Sequence, residues 1–254
     1  MALIGYLGAF LMGITLGAMG SGGSILTVPL LVYGLGVAPI VATGYSLLIV
    51  GITALIGAVI QYRQVAIRSA TLFAIPSIIT TYATRAYLVP KIPDYVWGVH
   101  RDTGIMVIFS VLMLVSAVMM YRTESEYSSA SVSHPVALIL VEGVGVGFIT
   151  GLLGAGGGFL IVPALVLLMR IPMAMAVGSS LFIVALKSLI GFMGDWQSGI
   201  VLEMPMLGYF IACTVTGMGV STLYLPAKLR VNRQRAFAMF TASLAAVMMI
   251  KELM

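Results

Sequence analysis

Few residues in this chain could do chemistry, and most of those sit in apolar company. Two phrases, GSGGSILTVPLLV at residues 20–32 and GAGGGFLIVPALV at residues 154–166, place clustered glycines ahead of an apolar run that contains a proline. The first amides of a helix have no partner within it and carry about half a positive charge. Glycine lets an anion approach such a backbone closely. Ser21, Gly22, Gly23 and Ser24 in the first phrase, and Ala155, Gly156, Gly157 and Gly158 in the second, are therefore candidate ligands for an anion held without charged side chains. Lys187 lies well inside an apolar segment, where a charge is costly and usually functional. Its ammonium would complete an anion trap. Ser46 and Ser180 each add a hydroxyl that can donate one hydrogen bond. The competing reading is structural: glycines that let helices pack closely, and a lysine that snorkels or pairs. Packing glycines usually recur as small-xxx-small, whereas these are contiguous.

Other candidates carry weaker signals. Glu142 is the only carboxylate well inside an apolar segment. It could carry a coupling proton, pair with Lys187, or face the headgroups. Gln61 and Asp195 occupy equivalent positions beside Tyr62 and Trp196, where a pore-rim role competes with a place among interfacial residues. Arg85, near the end of its segment, is expected to reach the membrane interface. His100 and His134 stand singly in loops, and Cys213 is the only cysteine, so no disulfide and no thiolate zinc site is expected. The 18 methionines are soft packing. Neither glycine phrase continues into G-K-[ST]. No catalytic residue, metal or cofactor is expected.

The elements that must position these residues are membrane spans. Of 254 residues, 61% are apolar and 8% charged, against about 25% charged in soluble domains. Such a chain cannot face water on all sides and belongs in a lipid bilayer. The formal charge of +5 comes from residues between apolar segments, which are topological determinants rather than a nucleic-acid surface. The N-terminus lacks the basic region and cleavage site of a signal peptide and is expected to be part of the fold. Apolar segments run at about 2–19, 24–34, 39–61, 68–89, 104–121, 136–153, 158–169, 174–194, 204–225 and 235–250. A polar, serine-rich stretch, residues 122–135, divides them.

That division coincides with a repeat. At a constant offset of 134, nine of the sixteen residues 17–32 are identical in 151–166. The register resumes at Ala42/Ala176, Gly44/Gly178, Ser46/Ser180 and Leu47/Leu181. The chain therefore divides into a first membrane repeat (1–121), a linker (122–135) and a second repeat (136–254). Arg63 and Arg68 follow the third segment, and Lys228, Arg230, Arg233 and Arg235 precede the tenth. Positive loops face the cytoplasm, and both basic loops do so only if each half crosses an odd number of times. The expected fold is an all-α polytopic membrane protein of two inverted repeats. Each repeat has a broken-helix, re-entrant-like hairpin followed by three transmembrane helices. The second limb of each hairpin, 11 or 12 residues, would reach about 17 Å and start near midplane.

A G-x-G-G followed by an apolar V-P, then a tetrad (Gly44-Tyr45-Ser46-Leu47 and Gly178-Ser179-Ser180-Leu181), occurring in both halves, resembles the TauE/SafE family of sulfite and organosulfonate exporters. The resemblance covers essentially the whole chain. It implies a secondary transporter of a small sulfur oxyanion in the bacterial inner membrane, with the bilayer and a small anion as its partners. Tyr45 replaces the threonine usual in the first tetrad. A passive anion channel, or a membrane enzyme or assembly subunit, are the alternatives. The sequence carries no signal for an oligomeric state.

Overall fold

The computed structural model describes residues 2–96, 98–122, 136–167, 169, 171–224 and 230–253. All but the first residue of the expected linker, Arg170 and Lys228 lie outside the described residues, as do the side chains of Ser21, Arg230, Arg233 and Arg235. The order is α1 (Ala2–Met19), a 3₁₀ stretch (Gly20–Leu26), α2 (Thr27–Pro29), a π-helical stretch (Leu30–Gly34), α3 (Pro39–Ile60) and α4 (Ile67–Ala83). A π-helical stretch (Thr84–Leu88) and a 3₁₀ turn (Val89–Lys91) prolong α4. After them come β1 (Tyr95–Val96), β2 (Val99–His100), α5 (Arg101–Arg122), α6 (Val136–Leu153), α7 (Gly158–Leu167), α8 (Met173–Gln197), α9 (Met204–Tyr224) and α10 (Arg230–Leu253). β1 and β2 form a two-residue antiparallel hairpin, the one departure from an all-helical chain among the described residues.

Among the described residues, six helices are long and apolar enough to cross a membrane, and the stretches Gly5–Met19 and Gly22–Gly34 are apolar but shorter. Proline sets two helix starts: Pro39 opens α3, and Pro172 caps α8 with extended backbone (ψ 140°). Leu7, Leu11, Val59, Ile75, Ile79 and Val141 are exposed, as lipid-facing residues of spans must be.

Glycine decides how the spans meet. A Cβ on Gly13 would overlap the Thr214 carbonyl, and one on Gly217 would overlap that of Phe10, so α1 and α9 touch backbone to backbone. The same close approach joins α6 to α4: a Cβ on Gly147 would lie 2.6 Å from the Ser77 oxygen, and one on Gly151 3.1 Å from Thr81 Cα. Both faces are small-xxx-small, the spacing that lets membrane helices approach without a hydrophobic driving force. Thr81 adds a hydrogen bond to the Gly147 carbonyl at 3.0 Å. α5 packs on α10, and α3 on α8. Along that last pair Gly44 meets Asp195, Leu47 meets Gly191, Gly51 meets Leu189 and Gly57 meets Leu181. Partner numbers fall as α3 numbers rise, so α3 and α8 run antiparallel. They are also the most enclosed spans.

The bundle thus has two ends. One carries residues 61–66, where the Ala66 amide donates to Ser179 Oγ at 2.9 Å. The other carries residues 198–203, tied to α3 by Tyr45, whose hydroxyl donates to the Val201 carbonyl at 2.7 Å.

Candidate functional site

The two glycine phrases fold differently. In the second, Gly154, Gly156 and Gly157 have φ of +67°, +62° and +71°. This left-handed turn has no cheap non-glycine substitute. It breaks the chain between α6 and α7, and α7 starts at Gly158. The Leu160 and Ile161 amides both donate to the Gly157 carbonyl, so the earlier amides of this helix end have no intrahelical partner. In the first phrase only Gly20 is left-handed (φ +73°), and helical winding begins there rather than at Ser24. The expected pair of matching broken ends is therefore unequal. The second phrase holds the open turn, while the first is a 3₁₀ helix that uses most of its own amides.

Lys187 lies on α8 with no exposed surface. Its Nζ donates to Thr150 Oγ1 at 2.6 Å, and Thr150 in turn donates to the Val146 carbonyl at 2.7 Å. Among the described residues the ion pairs are Arg85–Asp195 and Arg101–Asp94, so Lys187 has no carboxylate partner there. Glu142 does not pair with it: half-buried on α6, its Oε2 has no partner among the described residues. A Cβ on Gly157 would overlap Thr150 and come within 2.7 Å of Lys187 Nζ, and one on Gly156 would lie 3.5 Å from Ser188 Oγ. Ser188 is buried and its hydroxyl is unpartnered among the described residues. Ammonium, threonine and serine therefore meet the glycine turn that opens α7.

Of the tetrad serines, one sits against the other glycine phrase. Ser180 belongs to the first phrase: a Cβ on Gly20 would lie 3.0 Å from its Oγ, which donates to the Val177 carbonyl at 2.8 Å. Ser46 is buried with its hydroxyl unpartnered among the described residues. Ser24 is buried as well, and Gly23 packs directly on the backbone of Leu16. Thr53, at the repeat position of Lys187, exchanges a 3.0 Å hydrogen bond with Thr214.

Arg85 corrects a sequence expectation. It does not reach the interface but is 1% exposed, on the π-helical stretch that prolongs α4. Its Nη1 donates to Thr43 Oγ1 at 3.1 Å and lies 3.3 and 3.2 Å from the two oxygens of Asp195. Asp195 is thus held in a buried ion pair near the 198–203 end, while Gln61 at the opposite end is half-buried with Oε1 unpartnered among the described residues. A cavity of about 320 Å³ opens beside the pair, lined by Arg85, Asp195, Arg101, Ile40, Val89 and Gly199, among others.

Residues 5–251 match the family described as sulfite exporter TauE/SafE. The chain belongs to that family. It is 32% identical over 220 residues to a protein of Xylella fastidiosa (strain Temecula1) named "Probable membrane transporter protein", covering 84% of this chain and 80% of the relative. A Bacillus subtilis (strain 168) protein, "Probable membrane transporter protein YunE", is 31% identical over 225 residues, covering 74% and 77% of the two chains. No solved structure matches. The TauE/SafE chain is accordingly a multi-pass bacterial membrane protein and a transporter rather than an enzyme.

Thr43, Thr150 and Ser188 were not among the sequence candidates, and Arg85 stood among them only as a residue expected at the interface. A signal for three of them lay in the differences between halves. Thr150 stands where the first half has Leu16, Ser188 where it has Ala54, and Arg85 where the second half has Gly219. Polar groups that break the repeat mark places where the halves share a scaffold but not a chemistry.

Proposed function

We propose that this TauE/SafE protein is a secondary transporter that moves a small sulfur oxyanion, sulfite or a related sulfonate, out of the cytoplasm. One observation carries the reading. A fully buried ammonium, without a carboxylate partner among the described residues, is held by Thr150 against a left-handed glycine turn at a helix N-terminus. Each of these parts is a device for binding an anion in a place that lacks water. Lys187 and the amides of residues 155–158 would hold the oxyanion directly, with Ser188 in reach. Ser21, Gly22, Gly23, Ser24 and Ser180 would line the first-phrase side, and Ser46 would offer its hydroxyl from α3.

The two halves, 1–121 and 136–254, are read as inverted repeats. Antiparallel running of the equivalent helices α3 and α8 supports this, because a parallel repeat would give equivalent helices one direction. The exchange of partners, α1 with α9 and α6 with α4, fits a two-fold relation between the halves. Met218, near the end of α9, meets Gly57, near the end of α3, which supports α3 and α9 both ending on the membrane side that carries Arg63. By the positive-inside rule that side is cytoplasmic. Substrate sites at the interface of inverted repeats are served by rocking of one half against the other. Glu142 is a coupling candidate on the cytoplasmic half of α6, and Gln61 and Asp195 are rim candidates.

The test is efflux of labelled sulfite from proteoliposomes. Export by this mechanism saturates with internal sulfite and responds to an imposed proton gradient. Flux that rises linearly and ignores the gradient would make the protein a passive channel instead.

A further inference from the structure

Arg85 is bonded along only one part of its guanidinium. Nη1 serves Thr43 and Asp195, whereas Nε and Nη2 are buried and have no partner among the described residues. Three N–H donors are therefore unused, one on Nε and two on Nη2. They form the planar edge that receives two oxygens of one carboxylate, phosphate or similar oxyanion side by side. Leaving such an edge unmade in a buried site is costly, and two oxygens of one ligand are the simplest way to complete it. The edge also has a direction. A Cβ on Gly154 would lie 2.5 Å from Nη2, so the guanidinium abuts the start of the same turn whose end, Gly157, abuts Lys187 Nζ. On its other side Arg85 lines the 320 Å³ cavity at the 198–203 end, with Arg101 also on the wall.

We propose that the Nε/Nη2 edge of Arg85 is a second oxyanion subsite, placed between the Lys187 site and the 198–203 end of the bundle. This rests on the transport reading above. The substrate class is an anion with at least two oxygens on one centre, so that both donors are used. Sulfite and sulfonates qualify and halides do not. Asp195 is the occupant's competitor. It holds the guanidinium in place and balances its charge, and an arriving anion takes over part of that balance. Two cations at the two ends of one glycine turn then form a relay. The anion leaves Lys187, passes the backbone of residues 154–157, is received by Arg85, and is released into the cavity as Asp195 reclaims the guanidinium.

The experiment is isothermal titration of the purified full-length protein with sodium sulfite under argon, with chloride as the single-atom control. The parent is expected to bind two sulfites per chain, and Lys187→Met one. Adding Asp195→Asn to Lys187→Met removes the competitor and should tighten the remaining site about tenfold, the low end of what one charge-assisted bond is worth. Chloride should gain nothing at that site. Because removing Arg85 alone would strand Asp195, the paired variant Arg85→Gln/Asp195→Asn keeps the charge balanced. It should bind one sulfite, at the Lys187 site. A parent that binds one sulfite, lost in Lys187→Met and unchanged in the paired variant, overturns the second subsite and leaves the transport reading standing. A folded parent that binds no sulfite overturns both.

Discussion

Replacing Lys187 by methionine separates a binding lysine from a structural one, because the two predict opposite signs. Methionine keeps the apolar stem and fills the same channel among α6, α7 and α8. Nζ has three N–H donors, and one is committed to Thr150 at 2.6 Å. Two remain for a ligand. A hydrogen bond to a charged group contributes about 1.5–3 kcal/mol, and each 1.4 kcal/mol is about tenfold in affinity. Losing one such bond should therefore weaken sulfite binding at the Lys187 site by roughly 10- to 150-fold, and losing both should weaken it more. Thr150 survives the change satisfied, since its hydroxyl still donates to Val146. The empty protein should meanwhile hold or gain stability, because a cation at the centre of a membrane helix costs about 2.5–3.5 kcal/mol on insertion scales. Titration gives the affinity, and thermal unfolding in detergent without sulfite gives the stability. A variant that keeps the parent's sulfite stoichiometry, with every site within threefold of the parent's affinity, yet melts lower would refute the reasoning, for then the ammonium holds helices together and binds nothing.

Gly157→Ala should abolish sulfite efflux while the protein still inserts, because its Cβ would overlap Thr150 at a left-handed φ of +71°, a backbone cost of about 1–3 kcal/mol before the collision; efflux at the parent's rate would remove the turn from the site. Ser46→Ala and Ser180→Ala should each weaken sulfite binding by about 0.5–1.5 kcal/mol if their hydroxyls reach the anion, with Ser180 the smaller loss because its hydroxyl already serves Val177. In a Cys213→Ala background, Gln64→Cys should label with a membrane-impermeant maleimide only from the cytoplasmic side and Val201→Cys only from the opposite side, both positions being exposed. Labelling of both from one side would contradict the assigned orientation.

What the sequence determined by itself is what short-range chemistry and composition encode. A chain 61% apolar and 8% charged can only live in lipid. A gap-free repeat at an offset of 134 writes the same glycine phrase twice, and a glycine cluster in apolar sequence marks where a helix can break. Lys187 stood out for the same reason, since a lone charge has no cheap place in a span. The tertiary structure decided which charges are alone. Arg85 and Asp195 are 110 positions apart, and only the antiparallel contact of α3 with α8, and of α8 with the end of α4, brings them together and takes Arg85 off the interface. Likewise Thr150 is an ordinary helix residue until the packing of α6, α7 and α8 sets it under the Lys187 ammonium. The inequality of the glycine phrases also depends on packing. Gly22 and Gly23 can wind into a helix or turn left-handed with equal ease, so near-identical phrases take the conformation their neighbours allow. The first closes against Leu16 and the second stays open beside Thr150 and Lys187. Local sequence fixes where the backbone can break, and long-range packing fixes which break is left facing a charge.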